Sequence, residues 1–404
     1  MKILFKLINK KTLTVNWDYV YRLKQFSILK HTKQSQKWHA EGNVNIHTEN
    51  VVNEIYKLIP EFNDKQLYNR RLILVAAALF HDIGKGVTTV YNEKSGTYTS
   101  YNHDIEGEKI ARKMLWDEDI EIREKICTLV RNHMIPLRLN DSNKKYELIK
   151  LSMENVTIED LLTLKTADCN GSIHEEYDYW KEKLKDLENF SLKINCFRNR
   201  YNFSNKNEEC FFIKNGKLPK PNDNVGKIDF VVYMLIGLPG SGKTTYYKSQ
   251  FYNMPIVSRD MIRIDLGIPY NSNGNCMQEK QVDEIFDKKV KDFASKKSSF
   301  IVDNTNLKKS YRDHIKLLLS EYNVEYRYFY IESPNIKFNL NRRFKGIIQT
   351  SFILRMRNEF DFPRGFEANS IELKKEKSSY FKDVKNEFKF LINVINELCP
   401  TGPR

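Results

Sequence analysis

Five separated segments place a histidine or an aspartate on the apolar side of a helical pattern. His47 shares a face with Val51, Ile55 and Leu58 at the three- and four-residue spacing of a helix. His81 and Asp82 close the run 71–80, which is apolar almost throughout and reads as a central helix, with Gly84 as its cap. His103 precedes Gly107, Ile110, Ala111 and Met114; His133 follows Ile126, Leu129 and Val130; Asp168 follows Leu161 and Leu164. One core histidine ordinarily has a plain hydrogen-bonding role. Five such segments, two aspartates among them, are costly to bury unless the charge is compensated, and a divalent cation compensates it. The donors are imidazole and carboxylate without thiolate, which suits Mn²⁺, Fe²⁺, Ni²⁺, Co²⁺ or Mg²⁺ at least as well as Zn²⁺. We expect His47, His81, Asp82 and Asp168 to ligate one such ion. His103 and His133 would hold a second metal or a substrate phosphate. Lys85, one turn past His81, would reach a phosphate oxygen, and a metal in such a site lowers the pKa of its bound water.

A different chemistry is written at 237–244, Gly-Leu-Pro-Gly-Ser-Gly-Lys-Thr, which satisfies the phosphate-loop pattern at every fixed position. The apolar run 230–236 before it reads as a buried strand, and residues 245–252 after it can open a helix. Gly237, Gly240, Ser241 and Gly242 would turn backbone N–H groups toward phosphate oxygens, with Thr245 beside them. Lys243 would reach the β- and γ-phosphates and the Thr244 hydroxyl would hold Mg²⁺. The loop implies ATP or another nucleoside triphosphate with Mg²⁺, and leaves the acceptor open. Downstream, 255–260 reads as a short strand that delivers Asp260 to the carboxyl end of a parallel sheet, where ligands bind. An aspartate there can take the proton of an attacking hydroxyl, and Arg263, on the same face of a helix opened by Met261, can grip a phosphate. An N-cap aspartate with a surface ion pair fits the spacing equally. Residues 299–303 form another buried strand running into Asn304-Thr305-Asn306-Leu307, where Asp303 can help order Mg²⁺ and the amides equally suit a turn. Residues 324–331 read as a strand and 335–345 as a helix with Arg342 and Arg343 over the triphosphate, or simply as a basic helix end.

The elements that position these groups fall into two halves. The first is helical: aromatic anchors within 1–45, the segments above, and a long solvated helix over 175–192. Prolines 219 and 221 and the cluster Asn222, Asp223, Asn224, Gly226 mark loops, with 211–213 as a short strand. We place an all-α domain at 1–195, a linker at 196–227 and an α/β phosphate-loop domain with a parallel sheet at 228–404. Lysine plus arginine, 66, exceed aspartate plus glutamate, 52, giving +14, a surplus that suits a polyanionic partner; a lysine-rich solvated surface is the plainer source. Six scattered cysteines, none at Cys-x-x-Cys spacing, argue against a thiolate zinc site or a disulfide framework. Residues 1–11 lack the apolar core of a signal peptide and no stretch approaches a membrane span, so we expect a cytoplasmic protein without membrane association.

Two resemblances rest on these residues. His47, then His81-Asp82-Ile83-Gly84-Lys85, Asn102-His103, Arg131-Asn132-His133-Met134 and Ala167-Asp168, led by Trp38-His39-Ala40-Glu41-Gly42-Asn43-Val44, resemble the HD superfamily of metal-dependent phosphohydrolases over residues 30–180. The likeness is to the HD domains attached to bacterial tRNA nucleotidyltransferases and RNA-repair enzymes. Such relatives often carry an arginine where this chain has Ser172, and His39 fits a role in pinning the entry loop as well as one in the site. The phosphate loop, Ser258-Arg259-Asp260 with Arg263, 303–307 and the arginine-bearing lid resemble the phage-type 5′-hydroxyl polynucleotide kinases over 228–360. That resemblance implies Asp260 as general base, Arg263 on the phosphate next to the 5′-hydroxyl and Arg342 on the donor; the family's second lid arginine falls at Gly346. Together they imply an enzyme that heals RNA or DNA ends: hydrolysis of a 2′,3′-cyclic phosphate and removal of the 2′- or 3′-phosphate, with NTP-dependent 5′-phosphorylation, ready for a ligase. The alternatives are a nucleotide phosphohydrolase fused to a nucleoside or small-molecule kinase, and an HD module that binds without catalysis.

Overall fold

The computed structural model describes residues 2–268, 276–333, 339 and 350–375. The chain divides into two compact units, one of residues 1–231 with 320–327 and 362–371, the other of 232–319, 328–361 and 372–404.

The first unit is helical. α1 (Val44–Leu58) opens where the Asn43 side chain accepts a hydrogen bond from Ile46 N, and it buries Val44, His47, Val51, Val52 and Ile55. Leu58, expected on that face, is exposed at the helix end. α2 (Lys65–Phe80) is capped by Asp64, which accepts from the N–H groups of Gln66 and Leu67. Every residue from Arg71 to Phe80 on it is buried, as its all-round apolar sequence requires. A two-stranded antiparallel hairpin, β1 (Val90–Asn92) and β2 (Thr97–Thr99), follows. α3 (His103–Met114) starts from Asn102 in the left-handed region. α4 (Ile120–Asn132) is capped by Asp119 and α5 (Ile158–Gly171) by Thr157. These helices enclose one continuous core that includes Val51, Leu74, Leu79, Ile126, Leu129, Leu161 and Leu164. The helix Tyr177–Lys193 matches the long solvated helix expected there. Residues 211–213 are not a strand: they lie in the helix Lys206–Asn215, capped by Asn205 and stopped by Gly216 at φ +69°, and Phe212 is buried.

The second architecture is a five-stranded sheet in the order β4 (Ile256–Val257), β5 (Phe300–Asp303), β3 (Phe230–Ile236), β6 (Val324–Glu332), β7 (Ser370–Lys375). β3 and β4 both run parallel to β5, with Val232 opposite Phe300 and Ile256 opposite Ile301. Leu235, Ile301, Phe329 and Ile331 form a cluster with Tyr246 and Phe251 against it. α6 (Lys243–Gln250) follows β3, α7 (Arg259–Asp265) follows β4, and α8 (Cys276–Ser295) precedes β5. The sheet's carboxyl ends therefore carry the phosphate loop, Asp260 and Asp303 together, as open parallel sheets do. Among the described residues, no helix is long and apolar enough to cross a membrane.

Candidate functional site

Residues 121 positions apart meet in the helical unit. α1 brings His47, the end of α2 brings His81 and Asp82, and α5 brings Asp168. His47 Nε2 lies 3.0 Å from Asp168 Oδ1 and 3.6 Å from Asp82 Oδ2. His81 Nε2 lies 3.2 Å from His47 Nε2, 3.2 Å from Asp82 Oδ2 and 3.8 Å from Asp168 Oδ1. An ion about 2.1 Å from each donor leaves neighbouring octahedral donors about 3.0 Å apart, close to these separations.

A second trio adjoins the first. His103 Nε2 is 3.4 Å and His133 Nε2 3.9 Å from Asp82 Oδ1, and the two ring nitrogens are 3.2 Å apart. Asp82 thus turns one oxygen to each cluster. The rings are pre-set by their backs: Nδ1 of His81, His103 and His133 meets the carbonyls of Ala78, Ser100 and Val130 at 2.8, 2.7 and 2.7 Å. A ring whose Nδ1–H is engaged by a carbonyl presents a lone pair at Nε2. His103 and His133 then face each other as two acceptors with no proton between them, a repulsion that a cation removes. Burial lowers the pKa of both rings, and His103 and His81 press His133 further down. The donor set and its geometry fit a pair of divalent ions sharing Asp82.

The surrounding groups support the candidate ligands. His47 Nδ1 lies 3.0 Å from Glu41 Oε1, which also meets His39 Nδ1 at 2.8 Å, while Glu41 Oε2 accepts from Ile173 N at 2.8 Å. Burial would lower His47, but Asp168 and Glu41 bring it up to about 9, so an ion arriving there displaces a proton. Lys85 Nζ is 2.7 Å from Asp82 Oδ2, 2.8 Å from Gln34 Oε1 and 3.3 Å from His39 Nε2. Lys165 Nζ, 2.5 Å from Asp168 Oδ2, is buried yet its pKa is raised, because Asp168 outweighs the loss of water. The Ser172 hydroxyl donates to the Asp168 carbonyl at 2.8 Å and stays on its own helix. Glu41, Lys165 and Gln34 were not anticipated as site residues. Glu41 lies in the segment 38–44 that leads into α1, and Lys165 precedes Asp168 by one helical turn, signals that are present in the sequence but not distinctive.

Gly84 is not a left-handed cap; its φ is −68°. Its missing side chain matters for a different reason. A Cβ there would lie 2.1 Å from the His103 carbonyl oxygen and 2.6 Å from Gly107 N. The turn after Asp82 and the start of α3 pack backbone to backbone, which brings His103 to Asp82.

In the sheet unit, Gly237, Gly240 and Gly242 have φ of +158°, +74° and +96°. At Gly237 a Cβ would meet the Ile331 carbonyl at 2.4 Å. Lys243 Nζ donates to the carbonyls of Gly237 and Leu238 at 2.9 and 3.0 Å, folded over the loop it serves. The Thr244 hydroxyl is 3.4 Å from Asp303 Oδ2, the juxtaposition expected of a magnesium shell; Ser241 is buried in the loop and Thr245 sits in the first turn of α6. Asn306 Nδ2 donates to the Leu235 carbonyl at 2.7 Å, and Asn304 Oδ1 accepts from Arg259 N at 3.0 Å, so these amides tie the turns to the strands. Asp260 lies in the first turn of α7, whose N-cap is Ser258. Arg263 holds Asp260 Oδ1 at 3.1 Å and takes Glu279 bidentately at 3.0 and 2.7 Å. Arg342, Arg343 and Gly346 lie outside the described residues.

Comparison with known proteins finds two separate matches along the chain. Residues 44–168 match the model of the HD domain, and residues 232–342 match that of an AAA domain, AAA_33. A CC-adding tRNA nucleotidyltransferase of Thermus thermophilus is 32% identical over 118 residues, 27% of this chain and 26% of that enzyme. The chain therefore spans about a quarter of that relative's length. Among solved structures, a gluconokinase from Sinorhizobium meliloti is 15% identical with a TM-score of 0.26, covering 43% of this chain and 97% of that one. Kti12 from Chaetomium thermophilum is 17% identical with a TM-score of 0.28, covering 39% and 96%. This chain joins an HD domain, with its histidine and aspartate cluster formed, to a P-loop domain on a parallel sheet.

Proposed function

We propose that the chain heals broken nucleic-acid ends, the HD domain clearing phosphate from the 3′ side and the P-loop domain adding phosphate to the 5′ side. The observation that carries the reading is Asp82 with one oxygen turned to each histidine cluster, a donor arrangement that would hold divalent ions of the kind phosphoesterases use. Divalent ions bound there would activate water and offset charge on the phosphoryl group. The chain's own residues do the rest. Lys85 and Lys165, buried beside Asp82 and Asp168, keep both carboxylates ionised, and Lys85 extends a hydrogen bond to a phosphoryl oxygen. Water adds to phosphorus, the bond to the 2′- or 3′-oxygen breaks, and that oxygen leaves with a proton. Glu41 and the three backbone carbonyls keep the imidazoles aimed.

In the P-loop domain the chemistry is a transfer. Lys243 leaves the Gly237 and Leu238 carbonyls for the β- and γ-phosphates of ATP or another triphosphate, and Thr244 with Asp303 holds its Mg²⁺. Asp260 takes the proton of the 5′-hydroxyl as that oxygen bonds to the γ-phosphorus and the bridge to the β-phosphate breaks. Arg263, released from Glu279, grips the adjoining phosphate. The products, a 3′-hydroxyl and a 5′-phosphate, are the pair that a ligase joins, and the charge of +14 favours such a polyanion.

The test is RNA bearing a 2′,3′-cyclic phosphate and a 5′-hydroxyl, incubated with ATP and Mn²⁺, Ni²⁺, Co²⁺, Fe²⁺, Zn²⁺ or Mg²⁺, with both termini analysed. Healing of both ends is the expected result. Phosphorylation of free nucleosides or sugars with none of the oligonucleotide would replace this reading with that of a small-molecule kinase.

A further inference from the structure

The hairpin β1–β2 has no part in the site as described, yet both of its ends grow out of it. β1 begins five residues after Lys85 and β2 ends four residues before His103. Its base is closed by the hydroxyls of Thr89 and Ser100 at 2.8 Å, and the Ser100 carbonyl holds His103 Nδ1 at 2.7 Å. Tyr91 and Tyr98 are cross-strand partners whose rings meet edge to face at 5.1 Å. Lys33 Nζ stands 5.7 Å over the Tyr98 ring, and the next residue, Gln34, binds Lys85. Tyr91 is 55% and Tyr101 74% exposed. A cross-strand tyrosine pair can be explained as support for a ribbon too small to be stable alone. Tyr101 cannot, because it lies beyond β2. It is two residues from His103, so its backbone is within about 7 Å of that ligand's backbone, and the left-handed Asn102 between them turns the buried histidine and the exposed tyrosine apart.

We propose that Tyr101, with Tyr91, Tyr98 and Lys33, is a stacking platform for the unpaired bases of the nucleic-acid end whose phosphate enters the HD site. This rests on the function proposed above and names its preferred substrate: a single-stranded end that carries its bases. Aromatic rings exposed beside a cation bind single strands without reading sequence, since every base has a stacking face. The platform holds the terminal nucleotide while its phosphate lies over Asp82.

The experiment compares oligonucleotides with a 3′-phosphate whose last nucleotide is either complete or abasic, using the full chain, Tyr101→Ala and Tyr101→Trp. The wild-type chain is expected to show a KM roughly tenfold lower for the complete end. Tyr101→Ala should raise that KM to the abasic value with kcat unchanged and the abasic substrate unaffected, and Tyr101→Trp should restore the preference. Equal wild-type KM values for both ends would overturn the platform while leaving the phosphoesterase intact. Equal losses of kcat on both substrates in Tyr101→Ala would make Tyr101 a support for His103 instead. No phosphate release from either end by the wild-type chain would overturn the function and the platform together.

Discussion

Replacing Gly84 by alanine tests the claim that one missing side chain sets the second histidine cluster. The new Cβ would stand 2.1 Å from the His103 carbonyl, where ordinary contact begins at 3.4 Å, so the two backbones must part by roughly 1.3 Å. Neither neighbour is a flexible side-chain end: the other close atom is Gly107 N at 2.6 Å, one turn along the same helix. Metal–ligand distances tolerate only about 0.2 Å, so His103 moves out of reach of an ion held by Asp82 and His133. Such overpacking costs about 1–3 kcal/mol of stability, and a displacement of about 1 Å at a reacting centre can cost about a hundredfold in rate. We expect Gly84→Ala to fold, to lose at least about a hundredfold in phosphate release from a 3′-phosphorylated oligonucleotide, and to bind less metal by elemental analysis. Its 5′-phosphorylation, which depends on other residues, serves as the internal control. Full phosphatase activity with two ions bound would refute the close-approach argument.

Other perturbations separate the remaining assignments. Lys243→Ala or Asp260→Ala is expected to abolish transfer of label from γ-labelled ATP to a 5′-hydroxyl oligonucleotide while phosphate release persists; a folded variant losing both activities would contradict independent chemistries. Glu41→Ala should weaken metal affinity by about 10–100-fold, the usual effect of removing a group that orients a ligand histidine, read by competition with a chelator. Glu124 is buried between Arg112 and Arg123, at 2.8 and 2.7 Å; Glu124→Gln removes the charge facing both guanidinium groups while Arg112 keeps Glu108 at 2.8 Å and Arg123 keeps the Trp116 carbonyl at 2.7 Å, and it should cost about 1–3 kcal/mol in denaturant unfolding. The same carboxylate predicts acid sensitivity. Burial alone would raise it, but the two arginines hold it below its ordinary 4.5. Its contribution is therefore present above that pH and is lost as the pH falls through the lowered value, and the acid limb of the stability profile should be flatter in the variant.

What was legible in the chain before folding was chemistry carried by residue type and local spacing. A helical period is enough to turn His47 toward Val51 and Ile55, and the phosphate loop needs glycines at fixed positions because only they adopt φ of +74° and +96° without penalty. Residues 211–213 misled because two phenylalanines and an isoleucine suit a strand as well as a helix; the Asn205 cap and the burial of Phe212 decided for the helix.

The candidate ligand types were therefore determined by the sequence itself, since an aspartate following a histidine at the end of an apolar helix has few ways to be buried without a partner. Tertiary structure decided how they combine: that Asp82 divides its oxygens between two clusters, that Asp168 reaches His47 across 121 residues, and that Glu41, Gln34 and Lys165 join them. Hydrogen bonds and ion pairs act over about 3 Å, a distance set by helix packing and by backbone contacts such as that at Gly84. Helix packing depends on the whole core, whereas the period of a helix is written in any dozen of its residues.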